Sequence, residues 1–169
     1  MSDLPFFIRS MQADDLSELQ AFAQGHEDHP DYFVISLDEQ LQAKRFVFIA
    51  FQDGRIAGYA HLNRFPQYQP FRSLGLAEIQ DLYVGSVFRC NGIGQKLVEA
   101  CEAQAKSEGM DMIGIGVGVG GNFGAAQRLY ARMGYVPDGA GVVFDRQSVS
   151  VGEVRAVDDR LCLMLVKSL

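Results

Sequence analysis

The sequence predicts a single α/β domain (α+β in some schemes) around one mixed sheet, and three observations carry that expectation. Short apolar runs of strand character alternate with amphipathic helical stretches along the chain. Asp53-Gly54 stands between two of those runs, and an Asp-Gly pair flanked by apolar strands marks an antiparallel hairpin. Two strand–helix units between Ala77 and Met133 imply a locally parallel pair, because parallel neighbours need a crossover connection. The 169 residues fit one domain over 1–169. A domain of that size buries roughly 70% of its unfolded surface.

Phe6–Met11 reads as the first strand. Asp14 and Asp15 open a helix with Leu16, Leu19, Phe22 and Ala23 on one face, the acidic pair suiting the positive helix N-terminus. His26–Tyr32 is a polar break containing Pro30. Ser36-Leu37-Asp38-Glu39 has the capping-box pattern and predicts the start of a second short helix. Phe46–Phe51 is a buried strand, and Arg55–Leu62 returns beside it. Phe65–Phe71 carries two prolines and reads as an irregular aromatic loop. Ala77–Val84 is the fourth strand. Gly92–Glu108 is a helix with Ile93, Leu97, Ala100, Cys101 and Ala105 inward, ended by Gly109. Met112–Val119 is the fifth strand. Asn122 caps a helix through Met133, with Ala126, Leu129, Tyr130 and Met133 on one stripe and Gly134 at its end. Val142–Phe144 and Leu161–Val166 are late strands around a polar hairpin region.

Composition narrows the function classes. The net charge of −6 argues against nucleic acid as a partner, since phosphate binding needs a basic surface. An acidic surface serves solubility and also permits a cationic substrate. Cys90, Cys101 and Cys162 are odd in number without C-x-x-C spacing, so neither a disulfide framework nor a zinc site is expected and a reducing cytoplasm fits. Met1–Ser10 has no basic stretch followed by an apolar one, and no apolar run approaches the roughly 18 residues of a membrane span. His26-x-x-His29 lacks a clear third ligand, so no metal is expected.

Arg89-Cys90-Asn91-Gly92-Ile93-Gly94 follows the apolar run Leu82-Tyr83-Val84 and opens a helix. Strand, basic glycine loop, then helix is an arrangement that holds a pyrophosphate. The glycines let backbone approach the ligand, and the unpaired N–H groups of the helix start face the anion. A rival pattern, Gly116-Val117-Gly118-Val119-Gly120-Gly121, satisfies G-x-G-x-x-G with Asp138 beyond it. The next strand there, Gly134–Pro137, would be short and ended by proline, and too little chain remains for a dinucleotide-binding sheet. Gly114, Gly116, Gly118 and Gly120 leave one face of the fifth strand bare, which marks close approach of a ligand, another backbone or a helix.

Taken together, Glu78–Val84, the Arg89–Gly94 loop, and Asn122 with Ala126–Tyr135 resemble the fourth strand, the pyrophosphate loop Q/R-x-x-G-x-G/A and the second cofactor motif of the GNAT superfamily of acetyl-CoA-dependent N-acetyltransferases. The resemblance covers nearly the whole chain. It implies a three-layer fold with a mixed, mostly antiparallel sheet, a splayed central parallel pair and flanking helices. It also implies acetyl transfer from acetyl-CoA to a primary amine, on a small molecule or a peptide, by direct attack in a ternary complex.

The same resemblance assigns roles. Arg89, Cys90, Asn91, Gly92, Ile93, Gly94 and Gln95 would hold the pyrophosphate. Leu82, Tyr83 and Val84 would pair with the pantetheine arm, a backbone N–H near Val84 serving the oxyanion. Tyr130 would protonate the departing thiolate, or else fill the core. Asn122 would bond the pantetheine arm or cap its helix. Glu78 is the favoured base for the amine proton, or a carboxylate held structurally. Period-two alternation puts Glu78 and Gln80 on one face and Asp81 on the other, and a bulge would reverse the assignment in favour of Asp81. The loops His26–Tyr32 and Phe65–Phe71 would border the acceptor. A homodimer through the late strands stays open, as does a non-catalytic acetyl-CoA-binding sensor or interaction module.

Overall fold

The computed structural model describes residues 5–25 and 29–169. His26, Glu27 and Asp28 of the polar break, and with them the His26-x-x-His29 spacing, lie outside the described residues, as do Met1–Leu4. In chain order the elements are β1 (Phe6–Ser10), α1 (Leu16–Phe22), α2 (Tyr32–Leu41), β2 (Arg45–Gln52), β3 (Arg55–Asn63), α3 (Gln69–Leu74), β4 (Ala77–Val84) and α4 (Ile93–Ser107). Then follow β5 (Met112–Gly118), α5 (Gly124–Arg132), β6 (Val136–Phe144), β7 (Gln147–Ser148) and β8 (Leu161–Ser168). No described helix is long and apolar enough to cross a membrane. Two compact units emerge, Met1–Arg64 with Ile79–Gln104, and Phe65–Glu78 with Ala105–Leu169.

In the first unit the strands run β1-β2-β3-β4, and both β1–β2 and β2–β3 are antiparallel. The hairpin expected at Asp53-Gly54 is present. Gln52 pairs with Arg55, and both loop residues have positive φ, as the two-residue I′ turn requires. Leu19 of α1, Ala23 just after it and Phe33 of α2 join a core with Val47, Ile49, Ile56 and Tyr59. Each large side chain fully buried in this way contributes about 1.5–3 kcal/mol. Asp15 sits in the turn that enters α1, where the two terminal nitrogens of the Arg9 guanidinium donate to its carboxylate, at 2.6 and 2.7 Å. That hydrogen-bonded partner holds the Asp15 carboxyl below the usual range.

The second unit orders its strands β5-β8-β6-β7, with every pairing antiparallel. Tyr68, Phe71, Leu76, Val143 and Met164 form its core. The bare glycine face of β5 is filled by the protein's own side chains. A Cβ on Gly114 would fall inside the Phe71 ring, one on Gly118 inside the Phe123 ring, and one on Gly116 would lie 3.1 Å from the Met164 sulfur.

Four local expectations are corrected. Ser36 does not start a helix; α2 begins at Tyr32, and Ser36 is a buried mid-helix residue whose hydroxyl donates to the Tyr32 carbonyl at 2.8 Å. Such an i−4 bond is the alternative use of a serine side chain. The aromatic loop is partly regular, because Pro70 falls in the first turn of α3, where no N–H is needed. Asn122 caps nothing: it lies in the 3-10 turn Gly121–Phe123, and Phe123 precedes α5. The late strand beginning at Val142 starts instead at Val136 and runs through an irregularity between Pro137 and Val142, with Gly139 and Gly141 at positive φ.

Candidate active site

The first unit contains the glycine loop. β4 ends at Val84, a 3-10 turn covers Ser86–Phe88, and the chain then passes through Arg89, Cys90 and Asn91 into α4. Cys90 and Gly92 both hold left-handed backbone, at φ 64° and 79°. Left-handed residues on either side of Asn91, which is not left-handed, can gather N–H groups on one side, the geometry of an anion nest. Gly92 faces open space, with no atom within 4 Å of a Cβ built on it. α4 is 15 residues long and has no acidic residue in its first turn, so nothing of the helix's own opposes an anion at its positive end. Its apolar face is anchored by Ile93, Leu97 and Cys101, each at most 1% exposed. Arg89 is exposed and donates from Nε to the Val84 carbonyl at 3.0 Å, bracing the loop against the end of β4. These features fit a pyrophosphate.

β3 and β4 approach closely beside this loop. A Cβ on Gly58 would stand 2.7 Å from the Tyr83 carbonyl oxygen, and the Gly85 N–H reaches the Ala57 carbonyl at 2.9 Å. Within β4, Asp81 adopts φ 53°, a left-handed conformation rare for a non-glycine residue. This interrupts the two-residue alternation just before Leu82–Val84. Asp81 is exposed, and its carboxylate accepts a hydrogen bond from the Tyr32 hydroxyl at the start of α2. Beneath that bond lies a polar and aromatic cluster. His61 is fully buried, 5.1 Å from the Tyr32 ring and 5.9 Å from Phe33. Arg45 pairs with Glu39 at 2.6 Å and lies 3.4 Å from His61 Nδ1. Arginine can only donate, so Nδ1 accepts and Nε2 carries the proton, buried and without a hydrogen-bond partner among the described residues. Burial pushes the His61 imidazole well below its ordinary value, and Arg45 adds to the shift.

Glu78, Asn122 and Tyr130 belong to the second unit. Glu78 is buried, and Arg146 Nη2 lies 3.3 Å from its Oε1. Arg146 occupies the two-residue turn between β6 and β7. Nothing in the local sequence around Arg146 signals this contact. Tyr130 is 5% exposed on α5, its ring 6.0 Å from Tyr135. Gln127 ties α5 to the end of β5 by donating to the Gly118 carbonyl at 2.8 Å. Asn122 is exposed, 3.5 Å from Asp159. The structure thus groups Leu82–Val84, Asp81 and Arg89–Gln95 in one unit and the other three residues in the second.

The profile of the acetyltransferase (GNAT) family matches residues 10–135, which include the loop and β4. No curated protein matches the chain. Among solved structures, the ribosomal-protein-alanine N-acetyltransferase of Brucella melitensis is 21% identical, with TM-score 0.72 over 96% of this chain and 99% of that one. The protein yncA of Salmonella typhimurium, solved with its cofactor acetyl-CoA, is 16% identical, with TM-score 0.71 over 97% and 94%. The ribosomal-protein-S18-alanine N-acetyltransferase of Escherichia coli is 17% identical, with TM-score 0.70 over 97% and 94%. These likenesses show the mixed α/β fold that the sequence predicts. With the profile spanning most of the chain, from the end of β1 past α5, the protein belongs to the acetyltransferase (GNAT) family, a family of acyltransferase enzymes.

Proposed function

We propose that this acetyltransferase moves an acetyl group from acetyl-CoA to a primary amine by direct attack, with Asp81 as the proton acceptor. The observation that carries this reading is the left-handed break at Asp81, which leaves an exposed carboxylate immediately before Leu82–Val84 and the anion-ready loop. Acetyl-CoA supplies the activated acetyl group. The loop amides from Cys90 to Gln95, with the start of α4, hold its pyrophosphate, and Leu82, Tyr83 and Val84 offer backbone to its pantetheine arm. Membership of an enzyme family sets aside a non-catalytic binding module.

A primary ammonium has a pKa of about 10 and must lose its proton before nitrogen can attack. Asp81 takes that proton, directly or through water. A backbone N–H near Val84 donates to the carbonyl oxygen as it gains charge. Tyr130 gives a proton to the departing sulfur, whose thiol pKa of about 8.5 makes this help rather than necessity. Glu78, the other carboxylate of β4, is buried against Arg146, and its proposed part is to fix the β6–β7 turn. The names of the Brucella and Escherichia relatives suggest an alanine-initiated peptide as one acceptor to try.

Calorimetric titration with acetyl-CoA and desulfo-CoA tests the cofactor site, and micromolar binding of both is expected. Thiol release then separates the carboxylates. Asp81→Asn should lower kcat/KM by about 100-fold, whereas Glu78→Gln should act mainly on thermal stability. The reverse pattern would hand the base role to Glu78. Tyr130→Phe should lower kcat by about tenfold with cofactor affinity kept. Unchanged turnover across the pH range would exclude the acid role.

A further inference from the structure

We propose that Tyr32 is the positioning residue of this site, its hydroxyl fixing the Asp81 carboxylate so that one oxygen stays open to the incoming amine. The inference rests on Asp81 as the proton acceptor. An exposed aspartate side chain samples several rotamers, and catalysis needs one of them. The Tyr32 hydroxyl donates to Oδ2 of Asp81 across 49 residues of sequence, linking the first residue of α2 to the left-handed residue of β4. Oδ1 is the oxygen left to face the amine.

Tyr32 can hold that carboxylate because Tyr32 is itself held. Its ring meets Phe33 at 5.2 Å and His61 at 5.1 Å. Its carbonyl accepts the Ser36 hydroxyl at 2.8 Å. Below it the fully buried imidazole of His61 is neutral, so no second cation under the ring competes for the carboxylate. Among the described residues, the charged and titratable groups around the phenol are Asp81 on β4, Arg45 on β2, and Tyr59 and His61 on β3. Burial, then the Asp81 carboxylate, push the Tyr32 phenol far above its ordinary value. The group is therefore a hydrogen-bond donor at every working pH and never a rival base.

The test uses the full chain and thiol release with whichever of spermidine, lysine and an alanine-initiated peptide the wild type turns over fastest. Tyr32→Phe keeps the ring contacts and removes only the donor. It should lower kcat about tenfold with acetyl-CoA affinity unchanged by calorimetry. The KM for the amine should stay nearly unchanged, so that the loss falls on kcat, as expected when a group that orients the base is removed. Replacing Tyr32 with 3-fluorotyrosine, which keeps the donor, should keep kcat near the wild-type value. In an Asp81→Asn background, Tyr32→Phe should have no further effect. Equal loss in both backgrounds, or wild-type kcat for Tyr32→Phe beside an inactive Asp81→Asn, would overturn the positioning role alone. Wild-type turnover by Asp81→Asn would overturn the base reading itself, and the positioning role with it.

Discussion

Glycine does opposite work in two regions of this molecule. In the loop before α4, Gly92 holds left-handed backbone and faces open space. Its lack of a side chain serves conformation and the approach of something from outside. Along β5, the backbone of Gly114 and Gly118 is ordinary strand, and the missing side chains are replaced by the rings of Phe71 and Phe123. There the space is already taken, by the protein. A glycine cluster in a sequence thus speaks of a ligand only when the volume it vacates stays empty in the fold.

The contrast can be broken by substitution. Gly92→Asp places a carboxylate where a pyrophosphate is expected, and acetyl-CoA affinity should fall at least about 100-fold, or about 2.8 kcal/mol. Folding stability should drop only by the left-handed cost of about 1 kcal/mol. Unchanged affinity in calorimetry would remove the loop from the cofactor site. Gly114→Ala should do the reverse. Forcing a methyl into the Phe71 ring overpacks the core, which costs about 1–3 kcal/mol, read as a lower urea midpoint, while the folded fraction binds acetyl-CoA as before. A loss of affinity larger than the loss of stability would mean that β5 also meets the ligand.

A smaller effect sharpens the contrast for polar groups. His61 is buried with its proton affinity depressed, so the unfolded chain takes up a proton more readily than the native one. Its contribution is fully present above the ordinary pKa of about 6.5 and is lost as pH falls below it, by at most about 1.4 kcal/mol per pH unit. Chemical denaturation between pH 7 and pH 5 should show this decline in the wild type and a flatter curve in His61→Phe. Equal slopes would mean that His61 keeps its proton balance on unfolding.

Much of this was legible beforehand because it depends on local pattern. Asp53-Gly54 specifies a turn, Ile93, Leu97 and Cys101 specify one helix face, and Arg89–Gly94 follows a strand in a recognisable order. Other features depend on partners far along the chain. Ser36 can start a helix or bond back within one, and the choice is made by residues before it that continue the helix to Tyr32. Nothing in Glu-Ile-Gln-Asp-Leu marks Asp81 as left-handed, since that conformation is imposed by tertiary context. The Glu78–Arg146 pair spans 68 residues and could not be inferred from either segment. The bare face of β5 was visible, but its occupants, Phe71 and Phe123, were not.

The turn between β6 and β7 carries a lesson for redesign. Asp145 and Arg146 both sit at positive φ, at 50° and 61°. An engineer seeking heat resistance would replace Arg146 with glycine, the residue that the same molecule uses at Gly54. Judged by the hairpin alone, the change relieves a left-handed arginine and should help. Judged by Glu78, it takes away a guanidinium that lies 3.3 Å from a buried carboxylate, and because the Arg146 side chain is itself 35% exposed the loss is that of one charged hydrogen bond, about 1.5–3 kcal/mol at most. The second effect opposes the first. A consensus rule applied turn by turn therefore overlooks an opposing contribution from 68 residues away, which comparing Arg146→Gly with and without Glu78→Gln measures.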